Sequence, residues 1–147
     1  MSIFSSININ ASGLNSERTR MDTISKNIAN ANTTRTSSGT PYRRQMAVFA
    51  ENTENSFQTH LSNAERRAET PGGGVKITEI VEDSSPFKLV YDPGHPDAGG
   101  NGYVEMPNVD IVKEMVDMIT ATRAYEANLT SINTAKSMAM KAIDIGK

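Results

Sequence analysis

The sequence predicts a mainly α-helical fold in which an N-terminal and a C-terminal helix form an elongated antiparallel hairpin, with a short β element between them. Two observations support this prediction. Apolar residues recur every seven positions in both terminal segments, whereas the segment between them is rich in turn residues and short alternating runs. We therefore divide the chain into an N-terminal helix at 1–31, a polar loop with a small β-containing insertion at 32–106, and a C-terminal helix at 107–147.

The N-terminal helix is predicted over residues 3–31, where no proline interrupts the periodicity although Gly13 weakens it. One position of the heptad is apolar throughout and the other is only partly filled, so the helix presents a narrow apolar seam. The apolar position holds Ile7, Leu14, Met21 and Ile28.

The C-terminal helix is predicted from about residue 109 to about residue 145. Pro107 and Asn108 suit its N-terminal cap, and Gly146 suits its end. At 1.5 Å per residue such a helix is about 55 Å long, longer than a small globular domain, so something other than a compact core must cover it. Its seam is expected to use two heptad positions, the first with Ile111, Met118, Tyr125, Ile132 and Ala139, and the second with Met115, Thr122, Leu129, Lys136 and Ile143.

Three short strands are predicted in the insertion, at 45–52, 75–83 and 86–92. The second and third, "VKITEIVED" and "PFKLVYD", are expected to pair with each other as a hairpin. The polar stretch over 56–74 is expected to be a loop, and "DPGHPDAGGNG" is a dense turn signal. The insertion is therefore expected to be a small β element.

Composition and charge limit the possible partners. Only 37% of the 147 residues are hydrophobic and 5% aromatic, which is little material for a compact core. Residues 1–50 hold six Lys or Arg against two Asp or Glu, and residues 51–147 hold nine against fifteen. This asymmetry suits head-to-tail contacts between copies or a nucleic-acid partner, although two ordinary solvated surfaces are the simpler interpretation.

The chain has no cysteine, so disulfides and thiolate metal sites are excluded. It also has no apolar run long enough to predict a membrane span. Its first basic side chain is Arg18, so no cleavable secretory signal is expected. Taken alone, this predicts a cytoplasmic protein or one exported by a route that does not read such a signal.

Motifs for catalysis are weak. Asp92, His95 and Asp97 lie in one turn, but two carboxylates and one imidazole are a poor transition-metal set. "TPGGGVK" lacks the Gly-Lys-Ser/Thr ending of a phosphate loop and precedes a strand. We therefore expect no enzymatic activity, no cofactor and no metal. A basic cluster near Tyr42 keeps contact with a phosphate backbone open as a minor alternative, and it consists of Arg35, Arg43 and Arg44.

The end of the first helix carries Asn27, Asn30 and Asn32, although asparagine is a mediocre helix former. An amide both donates and accepts, so these side chains can bond a neighbouring subunit and fix its register. A local helix stop followed by a polar loop explains them equally well.

These residues also carry a resemblance. "MDTISKNIANANTT" is similar to the N-terminal signature of the bacterial flagellar rod and hook axial proteins. "GTPYRRQ", "KLVYDPGHP", "NGYVEMPNVD" and "ATRAYEAN" follow in an order that resembles the proximal-rod members of that family, and the resemblance spans nearly the whole chain. The motif residues that carry it are Asn27, Ile28, Ala29, Asn30, Asn32, Thr33 and Tyr42.

The resemblance implies a non-enzymatic subunit of the proximal rod in the flagellar basal body. Such a subunit polymerises with copies of itself and other rod proteins into a drive shaft and export conduit across the periplasm, next to basal-body ring and export-gate components. The helix seams are expected to supply the contacts between subunits, through Ile7, Leu14, Met21, Ile28, Ile111, Met115, Met118, Tyr125, Leu129 and Ile132. The resemblance implies export by the flagellar type III apparatus without a cleaved signal peptide, no nucleic acid and no membrane span. An intracellular coiled-coil adaptor or a nucleic-acid-binding module is the alternative.

Overall fold

A computed structural model describes residues 3–52 and 73–146. In the order of the chain, four short strands lie between two long helices, which confirms the predicted fold class. The loop predicted over 56–74 lies almost entirely outside the described residues. The elements in chain order are α1 (Ile3–Ala29), β1 (Gln45–Glu51), β2 (Val75–Glu82), β3 (Lys88–Tyr91), β4 (Tyr103–Met106) and α2 (Ile111–Ile145).

The two helices run antiparallel along each other. Asn10 Nδ2 lies 3.0 Å from Ser131 Oγ near one end of the pair, and Asn27 Nδ2 lies 2.9 Å from Glu114 Oε2 near the other. Residue numbers therefore rise on α1 as they fall on α2. With 35 residues, α2 is about 52 Å long, so the hairpin is elongated as predicted.

Small and polar residues alternate with larger ones on the α2 side of this interface. Ala121 and Ala135 are buried, and Gly13 of α1 lies so close to α2 that a Cβ there would be 2.9 Å from Asn128 Nδ2. Small side chains let two helix axes approach closely. The buried and half-buried residues of α2 include a heptad row, the inner row: Glu114, Met118, Ala121, Tyr125, Asn128, Ile132, Ala135 and Ala139.

As the contact between the two helices of one chain, the predicted seam is only partly present, whereas its role in contacts between subunits stays a prediction. Its first position lies in the inner row from Met118 onward, but Ile111 and the whole second position are exposed. The residues that take the second position in the structure stand one place earlier in the sequence. They are alanine or polar, so hydrophobic periodicity does not reveal them. The exposed members of the second position are Met115, Thr122, Leu129, Lys136 and Ile143.

The β1–β2 ribbon also packs on α1, beside α2, so that residues of α1, β1 and α2 line one shared pocket. β1 pairs antiparallel with β2, with Gln45 opposite Glu82 and Glu51 opposite Val75. β3 pairs with β4. The predicted hairpin between the second and third strands is thus wrong. Between them Asp83 accepts hydrogen bonds from the backbone and hydroxyl of Ser85, a local turn that redirects the chain.

Side chains of α1 bond the first residue of each ribbon strand. Val75 N–H donates to Ser12 Oγ (3.1 Å) and Ser16 Oγ donates to the Val75 carbonyl (3.3 Å). Asn27 makes the equivalent pair of bonds to Gln45 at the other end. Fifteen residues of helix span about 22 Å, close to the length of the strand, so both ends of the ribbon reach a polar side chain.

The ends of α2 also differ partly from prediction. Asp110, not Asn108, is the N-cap, and its carboxylate accepts from Val112 N–H at 3.0 Å and Lys113 N–H at 3.4 Å. Asn108 instead accepts from the Arg44 backbone N–H at 2.8 Å. Gly146 follows the last helical residue, as predicted. α2 therefore begins against the start of β1.

Candidate functional site

The most densely bonded side chain of the described structure is Asn27, which is 1% exposed. Its Nδ2 group donates to the Gln45 carbonyl at 2.8 Å and to Glu114 Oε2 at 2.9 Å. Its Oδ1 atom accepts from Gln45 N–H at 2.9 Å and from the Tyr42 hydroxyl at 3.0 Å. A side-chain amide has two donors and two acceptor sites, so every one is occupied within the chain.

Glu114 and Arg44 complete this cluster, which we call the polar junction (Asn27, Tyr42, Arg44 and Glu114). Glu114 is fully buried, and its Oε1 atom accepts from Arg44 Nε at 2.6 Å. Both carboxylate oxygens are thus hydrogen-bonded, as a buried charge requires. The junction joins α1, the start of β1 and the first turn of α2 at one point.

Two further carboxylates surround the guanidinium of Arg44. Asp117 Oδ2 lies 3.4 Å from Nη2 and Asp83 Oδ2 lies 3.9 Å from Nη1. The pKa of Asp83 is lowered, first by the hydroxyl of Ser85, then by its backbone N–H, and less by Arg44. Burial raises the pKa of Tyr42, and the negative charges of Glu114 and Glu82 raise it further, so the phenol stays a hydrogen-bond donor.

The polar junction is built to join elements rather than to react. All bonding sites of the Asn27 amide are occupied within the chain, which argues against the alternative in which this side chain bonds a neighbouring subunit. The amide instead bonds the backbone N–H and carbonyl of Gln45, as a neighbouring strand would, and donates to the carboxylate of Glu114. A hydrophobic side chain at this position would leave four polar groups without partners.

The other asparagines of the motif act locally. Asn30 Nδ2 donates to the Lys26 carbonyl at 2.9 Å, and its Oδ1 atom accepts from the Thr33 hydroxyl at 3.2 Å. Asn32 is exposed, as is Ala29, whereas Ile28 is half-buried. The local stop is therefore the interpretation that fits Asn30, and α1 ends at Ala29, two residues before its predicted end.

The predicted seam residues divide into two groups in the structure. The half-buried group consists of Ile7, Leu14, Met21, Ile28, Met118, Tyr125 and Ile132, and the exposed group consists of Ile111, Met115 and Leu129. The structure brings the first group to the α1–α2 interface or beside it. The side chains of the exposed group lie outside this interface.

Large apolar residues that are exposed form a second row along α2. We call this row the outer face. It repeats at spacings of three and four, like the inner row, and is displaced from it by one residue or about 100° around the helix. Its apolar members are between 44% and 71% exposed. They are Val112, Met115, Ile119, Leu129, Met140 and Ile143.

The basic cluster near Tyr42 is engaged within the chain. Arg44 is only 14% exposed beside its carboxylates. Arg43 donates to the Asp83 carbonyl at 3.1 Å and lies over the ring of Phe87 at 4.4 Å. Arg35 pairs with Asp97 at 3.7 Å. Arg43 and Arg44 are thus held by contacts within the chain, whereas the Arg35 side chain is 71% exposed.

Sequence reasoning missed several residues of these contacts, above all Arg44 and Glu114 as a buried pair. Ala121, Asn128 and Ala135 of the inner row were also missed. A search for small residues at heptad spacing would have found Ala121, Asn128 and Ala135. Among the described residues no group of three potential metal ligands occurs, and none of the described helices is long and apolar enough to cross a membrane.

Two family models match the chain at its ends. "Flagella basal body rod protein" matches residues 7–35, which include the Asn-rich motif. "Flagellar basal body rod FlgEFG protein C-terminal" matches residues 101–145, which include α2. The adaptor and nucleic-acid alternatives find no support in these comparisons.

Full-length relatives agree with the family models. The flagellar basal-body rod protein FlgC of Bacillus subtilis (strain 168) is 48% identical over 100% of both chains. That of Borreliella burgdorferi is 49% identical over 99% of this chain and 98% of its own. That of Salmonella typhimurium (strain LT2) is 38% identical over 100% of both. The chain belongs to the flagellar basal-body rod protein family.

Proposed function

We propose that the chain is a structural subunit of the proximal rod, which polymerises with copies of itself and with other rod proteins into the drive shaft of the flagellum. Its relatives along the full length carry the name of a basal-body rod protein. In this role the protein transmits torque and lines an export conduit, and it needs no catalytic group. Basal-body ring and export-gate components are its further neighbours.

The observation that carries this proposal is the outer face of α2. A helix of about 52 Å packs on α1 through its inner row, and keeps a second row of large apolar side chains on a surface that the described chain leaves exposed. Exposed apolar rows of this length favour contact with another protein surface. A rod subunit surrounded by neighbours supplies such surfaces along its whole length.

The polar junction supports the same role mechanically. It ties α1, the ribbon and α2 through hydrogen bonds and an ion pair, so that load on one element passes to the others. We place the assembled protein in the periplasmic part of the basal body, after export by the flagellar type III apparatus without a cleaved signal peptide. An unassembled chain with an exposed outer face suits delivery of single subunits to the growing end.

A clean deletion tests the proposal. The deletion strain should lack hook and filament but still secrete other early export substrates, and the intact chain supplied from a plasmid should restore swimming. A strain that assembles hooks without the protein would overturn the rod assignment. Loss of secretion of all early substrates would point to an export component instead.

A further inference from the structure

We propose that the C-terminal end of α2 docks into the groove beside the β3–β4 hairpin of a second copy, which gives a head-to-tail contact. The inference rests on the proposed assembly role and names the surfaces that meet along one direction of that assembly. It is carried by the shape and charge of two exposed surfaces at opposite ends of the molecule.

The first surface is a groove of about 620 Å³ between the loop after α1 and the β3–β4 hairpin. Leu89, 65% exposed, and Tyr103 form one apolar wall, and Pro41 lies on the opposite side. Asp97 joins the loop after α1 to the turn before β4 by accepting from the Thr34 hydroxyl at 2.8 Å. Glu105 adds an exposed carboxylate to the same wall.

The second surface is the end of α2. Asn10 lies beside Ser131 and Gly13 beside Asn128, and the same pairing continued to Ile3 reaches Met138. The helix runs on to Ile145, beyond the described part of α1. Its last turns are apolar on more than one side, with Met138, Met140, Ile143 and Ile145 between 57% and 86% exposed.

The two surfaces are complementary in charge. The residues that line the groove carry two carboxylates, Asp97 and Glu105, and one guanidinium, Arg35, which lies 3.7 Å from Asp97. The helix end carries the ammonium groups of Lys136 and Lys141 against the carboxylate of Asp144. The charged groups of the groove lining therefore sum to one negative charge, with Glu105 outside any ion pair among the described residues, and those of the helix end sum to one positive charge, which favours encounter in this orientation.

The fold places the two surfaces at opposite ends of the helix pair. The groove follows the end of α1 and precedes the start of α2, whereas the helix end lies on the order of 50 Å away. One molecule cannot satisfy its own groove. Two different surfaces that meet between copies form a heterologous contact, which propagates into an open polymer or ring instead of stopping at a dimer.

Cysteine cross-linking tests this contact directly because the chain has no cysteine of its own. The variants are Leu89→Cys in the groove and Ile143→Cys at the helix end. A disulfide requires Cα atoms within about 7 Å, so a bond between these positions can form only between molecules. The double variant should give a ladder of oligomers under oxidation, and a mixture of the single variants should stop at a dimer.

The matched control is the single variant Ser25→Cys, used in place of Leu89→Cys. Ser25 is an exposed residue of α1 outside both surfaces. Its mixture with Ile143→Cys should give at least tenfold less dimer. Lys141→Glu should reduce the 89–143 dimer, and Glu105→Lys in the partner should restore it. Equal yields from the control mixture, no 89–143 dimer at the highest soluble concentration, or preferential joining of each single variant to itself would overturn the proposal.

The same variants separate this inference from the proposed function. If the deletion strain swims with the wild-type chain and equally well with Lys141→Glu and Leu89→Ser, the rod role stands and the docking contact is wrong. If the wild-type chain does not restore hooks, the rod role itself fails. Reduced swimming with Lys141→Glu that Glu105→Lys restores would support both.

Discussion

Asn27 Nδ2 donates to Glu114 Oε2 at 2.9 Å across the helix pair, where neither side chain has appreciable contact with solvent. The two residues are 87 positions apart in the chain, so this bond fixes the register of α1 against α2. It also connects the Asn-rich motif to the first turn of the helix that carries the outer face. The motif therefore acts inside each subunit before any contact between subunits.

Replacement of Asn27 should destabilise the chain far more than replacement of Asn30. Asn27→Ala leaves Gln45 N–H, Gln45 C=O, the Tyr42 hydroxyl and Glu114 Oε2 short of partners, and should cost roughly 3 kcal/mol or more in the free energy of unfolding. Asn30→Ala removes a bond to its own helix and should cost about 0.5 kcal/mol. Urea unfolding of both variants measures the difference. Equal losses would contradict the assigned role of Asn27.

The ion pair of the polar junction should be asymmetric. Arg44→Met leaves the fully buried Glu114 without its cationic partner and should cost about 3–5 kcal/mol. Glu114→Gln should cost about 1–3 kcal/mol, because Arg44 keeps Asp117 and Asp83. The double variant should be more stable than Arg44→Met alone, since no buried charge remains. A double variant as unstable as the sum of the single changes would show that the two residues do not interact.

Tyr42 should make stability fall at alkaline pH. Its pKa in the folded chain is raised above the usual 10.0, so its contribution is present below pH 10.0 and is lost as pH rises toward the folded pKa. The unfolded chain ionises first and is stabilised by doing so. The stability advantage of wild type over Tyr42→Phe should therefore be largest at about pH 8 and shrink by about pH 11. Unfolding curves at several pH values measure it, and a constant difference would be the contrary result.

The helices, three of the strands and the end of α2 at Gly146 could be predicted because they depend on local signals: apolar periodicity, β-branched runs and turn residues. The strand pairing could not be predicted, because β1 and β2 pair although residues 52–74 separate them in the sequence. The third strand is much closer to the second in the sequence and was therefore predicted as its partner. Which strand pairs with which depends on contacts between distant parts of the chain, and local sequence patterns do not indicate these contacts.

Half of the inner row of α2 was missed for a related reason, namely Glu114, Ala121, Asn128 and Ala135. Ala121 and Ala135 allow close approach of α1, and Asn128 and Glu114 make polar contacts, so none adds to a hydrophobic stripe. The predicted second seam position followed Met115 and Leu129 instead, which belong to the outer face. Hydrophobic periodicity detects apolar rows but does not tell which row a chain covers by itself.

This distinction predicts different consequences for two charge substitutions. Leu129→Asp lies on the outer face and should change the free energy of unfolding by about 0.5 kcal/mol or less, yet abolish swimming in the deletion strain. Ala121→Asp places a carboxylate where exposure is 0% and should cost roughly 3 kcal/mol or more. Leu129→Met is the control and should swim normally. Normal motility of Leu129→Asp would remove the outer face from the assembly surfaces.

Amide exchange of the monomer should be graded along α2. The narrow seam predicted from sequence alone implies rapid exchange over 3–31 and 109–145, but in the structure α1 packs against both α2 and the ribbon. Amides of α1 between Ser12 and Asn27 should therefore be protected, as should those of α2 from Met118 to Ala135.

From Ala139 to Ile145 the helix has little packing in the described chain, and helices owe most of their stability to packing, so exchange should be fast there. Assembly should slow exchange in this segment more than in any other part of α2, because docking supplies the missing surface. Hydrogen exchange of monomer and polymer, followed by mass spectrometry, measures the gradient. Uniformly slow exchange through Ile145 in the monomer would show that the helix end is stable without a partner, and rapid exchange throughout both helices would show that the hairpin itself forms only on assembly.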